Sequence, residues 1–256
     1  MLSRVKYYLS SIPTLLSGVR NWPAVLPILR PGAEGILQLH DGTQFSIRTP
    51  MDIWIIKETC LDKDYERMGV VIRDGWIIID IGAGLGDFTV SVARSHPAST
   101  VYAYEPFANS FELLQNNVRR NKLTNVTAFP IAIGGKDGML TLDVTSSGEA
   151  VQHSTATGQR GVTVKSVALN TVIASLPQRR CNFLKMDCEG AEFDILFNAS
   201  AQTLTKIDCV CMEYHDGVTA HTHTDLRGYL ESNGFSVTAR PNPVHSNLGF
   251  LCAQRR

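Results

Sequence analysis

The chain has 256 residues, 24 Lys and Arg against 24 Asp and Glu, 44% apolar residues, 20 Gly, 11 Pro and 6 Cys, which excludes disordered, collagen-like and disulfide-scaffold proteins. A length near 250 lets one large α/β domain, or one of about 200 residues with an appendage, bury a full core. A formal charge of zero provides no overall field to gather nucleic acid, so a neutral partner is expected.

The six cysteines stand at 60, 181, 188, 209, 211 and 252, without a Cys-x-x-Cys pair. With no secretory segment, they fit reduced thiols in a cytoplasmic protein. Cys209 and Cys211 fall on one face of a strand, where a thiol fills core as a small apolar group. No apolar run reaches the ~18 to 20 residues of a membrane span.

Arg4, Lys6, Arg20 and Arg30 precede any acidic residue, and Pro13, Pro23, Pro27 and Pro31 interrupt the apolar stretches. The unbroken apolar core is too short for a signal peptide. Two short amphipathic helices are predicted within residues 1–35. Such helices lie on a membrane surface, on a partner or on their own domain, and the last is the expectation. Ile36 to His40, the Asp41-Gly42 turn and Thr43 to Arg48 read as a hairpin. Asp52 then opens a helix to about Cys60, with Ile53, Ile56 and Cys60 on one side. Residues 1–70 form an N-terminal extension in this reading, and 71–256 the main domain.

From Trp76 strands and helices alternate, the pattern of a doubly wound α/β sheet covered on both faces. Trp76 to Asp80 is a buried strand, Gly82-Ala-Gly-Leu-Gly86 the turn after it, and Asp87 to Ser95 a helix. Thr100 to Glu105 is the next strand, Phe107 to Asn121 a helix with Phe111, Leu114 and Val118 at helical spacing, and Asn125 to Pro130 a third strand. Gly134, Gly135, Gly138 and Gly148 mark turns in a polar stretch to Gly161, read as a hairpin and surface loop. Val162 to Val167 is strand-like, and Ala168 to Leu176 is a short helix stopped by Pro177. Asn182 to Asp187 and Ile207 to Tyr214 are strands, Glu192 to Asn198 and Thr224 to Asn233 helices, and Phe235 to Arg240 with Gly249 to Ala253 a terminal strand pair.

The strand, glycine turn, helix and distal acid form the nucleotide-binding half of such a sheet. Gly82, Gly84 and Gly86 allow close backbone approach to a ligand. Glu105, 19 residues beyond Gly86, is placed to accept hydrogen bonds from ribose hydroxyls. A dinucleotide sets its pyrophosphate on the helix N-terminus and favours Gly-x-Gly-x-x-Gly, but Asp87 occupies the third glycine position. With Asp80 just before the turn, a pyrophosphate would face two carboxylates, whereas S-adenosylmethionine brings an ammonium and a sulfonium. Charges ~4 Å apart interact by about 4 kcal/mol near a protein surface, so S-adenosylmethionine is the expected cofactor and NAD the alternative. Asp87 also fits as an acid complementing the helix dipole alone.

The runs Asp80-Ile-Gly-Ala-Gly-Leu-Gly-Asp-Phe88, Tyr104-Glu-Pro-Phe107, Leu114-x-x-Asn117-x-x-x-Asn121, Ala132-Ile-Gly134 and Lys185-Met-Asp-Cys-Glu-Gly-Ala-Glu192 resemble the FkbM family of S-adenosylmethionine-dependent methyltransferases. The resemblance covers roughly Asp52 to Tyr214. It implies a seven-stranded class I methyltransferase sheet, Rossmann-like with a reversed last strand, acting on hydroxyls of sugars, polyketides or lipids. The cofactor residues it carries are Asp80, Gly82, Gly84, Gly86, Asp87, Glu105 and Pro106. Where the family usually has acids after the leucine of its short helix, this chain has Leu169-Asn-Thr171.

Ligands of an open α/β sheet lie beyond the carboxyl ends of its strands. Lys185, Asp187, Glu189 and Glu192 therefore converge there with Glu213 and His215, as acceptor site, as a salt-bridged network, or as both. Lys185, Asp187, Glu189 and His215 are the candidate catalytic residues. Asp187 and Glu189 would orient the methionine amine and the acceptor hydroxyl. His215 is the candidate base, its ordinary pKa being nearest neutrality, or else a hydrogen-bond partner of Asp187 or Glu213. Glu213-Tyr-His-Asp216 with His221-x-His223 offers metal-ligand types but no zinc signature, so a polar lid loop is expected and no metal assigned. The expectation is an O-methyltransferase for a small-molecule or glycan acceptor, the alternatives being an NAD-dependent oxidoreductase and a silent cofactor-binding scaffold that docks through residues 1–35.

Overall fold

The computed structural model describes residues 2–30, 32–143 and 161–256. Pro31, Gly148 and the rest of the surface loop expected between Asp143 and Gly161 lie outside them. The chain opens with α1 (Leu2–Gly18), α2 (Trp22–Val25) and a 3-10 turn (Leu26–Leu29). Instead of breaking at Pro13, α1 runs through it as one helix. Proline removes only its own bond to the carbonyl four residues back, here Leu9, and both residues are exposed to water.

The hairpin β1 (Gly35–Gln38) and β2 (Gln44–Ile47) follows. Next comes α3 (Pro50–Ile56), which starts earlier than Asp52 because Thr49 and Asp52 form a capping box with proline at the first helical position. It continues as a π-turn, Lys57–Leu61. Val19, Val25, Ile28, Leu37, Phe45, Ile47 and Ile56 bury a cluster together with Leu85, Val90 and Leu113. The N-terminal segment thus packs on its own chain, while Leu9, Ile12 and Leu16 stay exposed. Among the described residues, no helix is long and apolar enough to cross a membrane.

Then come β3 (Ile77–Ile81), α4 (Asp87–Ser95), β4 (Thr100–Tyr104), α5 (Ala108–Arg120), β5 (Val126–Phe129), β6 (Ala132–Gly134), β7 (Gly138–Asp143), β8 (Gly161–Ala168), α6 (Leu169–Ser175), β9 (Cys181–Met186), α7 (Glu192–Phe197), α8 (Ala201–Leu204), β10 (Ile207–His215), α9 (His223–Ser232), β11 (Phe235–Pro241) and β12 (Leu248–Arg255). The main sheet has seven strands in the order β11-β12-β10-β9-β3-β4-β5. All neighbours from β10 to β5 run parallel, and β12 enters antiparallel between β10 and β11, so the last strand is reversed as expected. Its interior strand β3 is buried at every position.

Strands β6, β8 and β7 form a separate three-stranded sheet. Strand β6 is not anticipated from sequence, since three residues are too few to show alternation. All six cysteines are free, and five are buried.

Candidate active site

Because β4, β3, β9 and β10 run parallel, their carboxyl ends meet at one edge of the sheet. That edge carries the glycine turn, Glu105, the loop Asp187 to Glu192, and the end of β10 with Glu213 and His215.

The three glycines of the turn serve different purposes. A β-carbon on Gly82 (φ +71°) would lie 1.9 Å from the Asp187 carbonyl oxygen, and one on Gly86 (φ +87°) 2.5 Å from Leu114 Cδ1. Neighbouring parts of the protein exclude side chains there. Gly84 (φ +53°) alone of the three has nothing within 4 Å of that position, so it is the glycine that leaves room for a ligand.

Glu105 grips the turn from the next strand. Its Oε2 accepts the Gly84 N–H at 2.8 Å and its Oε1 the Phe107 N–H at 2.9 Å. Pro106, half-buried between them, has no N–H to offer. Burial raises the Glu105 pKa to about 7, against the pull of the two N–H groups. Each carboxylate oxygen keeps a second lone-pair direction, which a hydroxyl donor can use.

Asp80 is fully buried beneath the turn. It accepts a hydrogen bond from Thr89 Oγ1 at 2.6 Å and pairs with Lys185 Nζ at 2.9 Å. Lys185 also donates to the Gly82 carbonyl at 2.9 Å. Burial opposes its charge, but Asp80, Asp187 and Asp87 outweigh that and hold its pKa above the ordinary value. Lys185 therefore fixes the turn instead of facing an acceptor. The Asp80 charge is also neutralised, so any repulsion of a pyrophosphate falls to Asp87 and Glu105. Asp87 is the first residue of α4, and burial lifts its pKa to about 6, with Lys185 and Thr59 of the π-turn opposing.

On the other side, Asp187 Oδ2 accepts the phenol hydrogen of Tyr65 at 3.0 Å. Tyr65 is missed from sequence, because it sits between helix and strand in a stretch without periodicity. Its ring is held edge-on by Phe88 and Phe250. Glu192 is fully buried and accepts the N–H groups of Cys188 (2.9 Å) and Gly190 (2.8 Å), ordering the loop from within. Glu189 has φ +54°, a left-handed conformation that costs a non-glycine residue about 1 to 2 kcal/mol.

His215 lies between two glutamates, Nε2 at 3.2 Å from Glu189 and Nδ1 at 3.3 Å from Glu192. Burial lowers its pKa, but Glu192, Asp187 and Glu189 raise it further, to about 10. The imidazole is thus a cation at neutral pH and has no free lone pair, which removes the basis for assigning it as the general base. Its closest partners are also not the Asp187 or Glu213 considered from sequence. The Glu189 pKa is raised to about 7, by burial first and then by Asp187.

His223 instead binds Asp216 at 2.6 Å and stacks on Tyr214, and His221 stacks on Phe193. At the departure from the family pattern, Asn170 bonds to the Asn198 carbonyl and the Ser200 N–H, and Thr171 to Asp137. These are contacts within the helical layer and with the small sheet.

A family model described as the methyltransferase FkbM domain matches residues 80–237. The chain is 31% identical over 228 residues to Methyltransferase 1 of Beauveria bassiana, covering 79% of this chain and 89% of that protein. It is 27% identical over 224 residues to the 31-O-demethyl-FK506 methyltransferase FkbM of Streptomyces tacrolimicus, covering 75% and 84%. The crystal structure of methyltransferase FkbM from Methylobacillus flagellatus superposes with a TM-score of 0.54 at 16% identity, over 91% of this chain and 59% of that one.

Proposed function

The chain belongs to the FkbM methyltransferase family, and from that premise we propose that it transfers the methyl group of S-adenosylmethionine to a hydroxyl oxygen of a small-molecule or glycan acceptor. The observation that carries this reading is the pairing of Gly84, open above its Cα, with Glu105, which grips the Gly84 N–H and keeps lone pairs for ribose hydroxyls. Asp87 adds a carboxylate beside the same turn, suited to a cationic ligand and opposed to a pyrophosphate. The relative that methylates an FK506 precursor at an oxygen supports a hydroxyl acceptor.

When bound, the cofactor supplies an electrophilic methyl group on a sulfonium, and the protein contributes mainly alignment. Positioning lowers a barrier by about 7 to 11 kcal/mol, against a typical 10²- to 10⁴-fold from a general base. Glu105, Gly84 and Asp87 hold the cofactor side, with Lys185 and Asp80 locking the turn. Asp187, itself oriented by Tyr65, directs the acceptor hydroxyl. Glu189, with a pKa near 7, suits removal of the hydroxyl proton at neutral pH.

Titration of S-adenosylmethionine and of NAD into the purified chain tests the cofactor: saturable binding of the first is expected, and binding of NAD alone overturns the reading. Formation of S-adenosylhomocysteine with a panel of sugar and polyketide alcohols then separates an enzyme from a silent scaffold.

A further inference from the structure

A surface helix ordinarily buries its apolar stripe. Helix α1 does the reverse over its last three turns. Leu9, Ile12 and Leu16, at the spacing of one helical face, are 60%, 48% and 61% exposed. The opposite face, with Tyr7, Ser11, Thr14 and Gly18, is the one that packs, Leu15 lying at its border. Its contacts are specific. The Tyr7 hydroxyl donates to Glu58 of the π-turn, Lys57 Nζ sits 4.8 Å from the Tyr7 ring centroid, and a β-carbon on Gly18 would collide with Leu61. The helix cannot roll over without losing them, so Leu9, Ile12 and Leu16 are held outward.

The 3-10 turn continues the pattern. With three residues per turn, Val25 and Ile28 point into the core while Leu26 and Leu29 point out. Five of the eleven exposed large apolar side chains among the described residues thus fall between Leu9 and Leu29. Single exposed apolar residues are ordinary, but a concentration of them marks an interaction surface. Charge is segregated in the same segment. Arg4, Lys6, Arg20 and Arg30 precede the first acid, Glu34, in a chain whose charges otherwise balance, and Arg20 and Arg30 are exposed.

We propose that α1 and the 3-10 turn dock on an anionic lipid bilayer. Apolar side chains enter the boundary layer while basic ones meet the headgroups, with the helix lying on the surface and not crossing it. A second copy fits the face poorly, because a two-fold interface sets one patch against itself and would bring the same basic residues together. The docking surface depends on neither the cofactor nor the acceptor of the methyl-transfer reading.

The test is sedimentation of the full chain with vesicles of phosphatidylcholine and phosphatidylglycerol, against vesicles of phosphatidylcholine alone. Binding to the anionic vesicles is expected, weakened by salt. Arg20→Gln and Arg30→Gln should each reduce it about fivefold, the worth of one basic residue at such a surface. Leu9→Gln, Ile12→Gln and Leu16→Gln together should reduce it at least about tenfold, with circular dichroism and melting temperature as in the parent because all three positions are exposed. Absence of the parent protein from the anionic pellet, equal binding to both vesicles, or parent-like binding by the folded triple variant overturns the proposal. A dimer in analytical ultracentrifugation that the triple variant abolishes, without vesicle binding, also overturns it and assigns the face to a second copy.

Discussion

The phenol of Tyr65 donates a hydrogen bond to Asp187 over 3.0 Å, although 122 residues separate the two in the chain. The ring is wedged between Phe88 and Phe250 and lies under the Lys185 ammonium, 5.4 Å from its centroid. Asp187 is therefore aimed by a rigid partner seated in the core. A hydrogen bond to a charged group contributes about 1.5 to 3 kcal/mol. Tyr65→Phe is expected to lower kcat by roughly 10- to 100-fold, while loss of the same bond lowers the melting temperature by several degrees, at ~2–4 °C per kcal/mol, and the retained ring keeps the protein folded. A kcat equal to that of the parent protein would falsify the positioning role.

Gly82 and Gly84 separate packing from ligand space. Gly82→Ala drives a methyl group into the Asp187 carbonyl, and the protein should become insoluble or melt well below the parent. Gly84→Ala meets no neighbour and carries only the left-handed backbone cost of about 1 to 2 kcal/mol. It should stay folded yet bind S-adenosylmethionine at least tenfold more weakly than the parent, as calorimetry would show. Parent-like cofactor affinity in Gly84→Ala means that Gly84 does not face the ligand.

Asn117 ties three parts of the molecule together. Its Nδ2 donates to the Leu85 carbonyl at 2.8 Å, and its Oδ1 accepts the Ser46 N–H at 2.6 Å, linking α5, the glycine turn and β2. Truncation to alanine strands the buried Leu85 carbonyl, at about 1 to 3 kcal/mol, and releases the half-buried Ser46 N–H. The expected result for Asn117→Ala is a lower melting temperature and faster amide hydrogen exchange in residues 82–86. Exchange confined to the hairpin would show that the turn stands without this link.

The pH dependence follows from the buried acids. Glu105 rises from 4.5 to about 7 and Asp87 from 3.8 to about 6, in both cases mainly by burial. A group whose folded pKa exceeds its unfolded value contributes stability that is complete below the unfolded pKa and lost as pH climbs through the folded one. Both contributions therefore fade between about pH 4 and pH 7. The cofactor-free protein should melt several degrees lower at about pH 8 than at pH 5, at ~2–4 °C per kcal/mol for a chain of this size. Glu105→Gln should show a smaller drop, and an equal drop in that variant removes Glu105 as a source.

Local chemistry makes much of the molecule legible in the amino-acid sequence. Apolar runs of strand length, the glycine turn and the alternation with amphipathic helices specify a parallel α/β sheet, because side-chain period and turn residues act within a few positions. The motif residues Asp80, Glu105, Asp187 and Glu192 all stand out there. Their individual duties do not. Whether Asp80 meets a ligand or Lys185, and whether His215 is a base or a cation between two glutamates, depends on the register of β3, β9 and β10 and on the loop that Glu192 orders. Tyr65 leaves no trace in the sequence, since only the packing of Phe88 and Phe250 brings its hydroxyl to Asp187. Periodicity determined the strands long enough to show it, which excludes the three-residue β6; the tertiary structure decided which charges touch, because the distances that govern electrostatics are set between residues far apart in the chain.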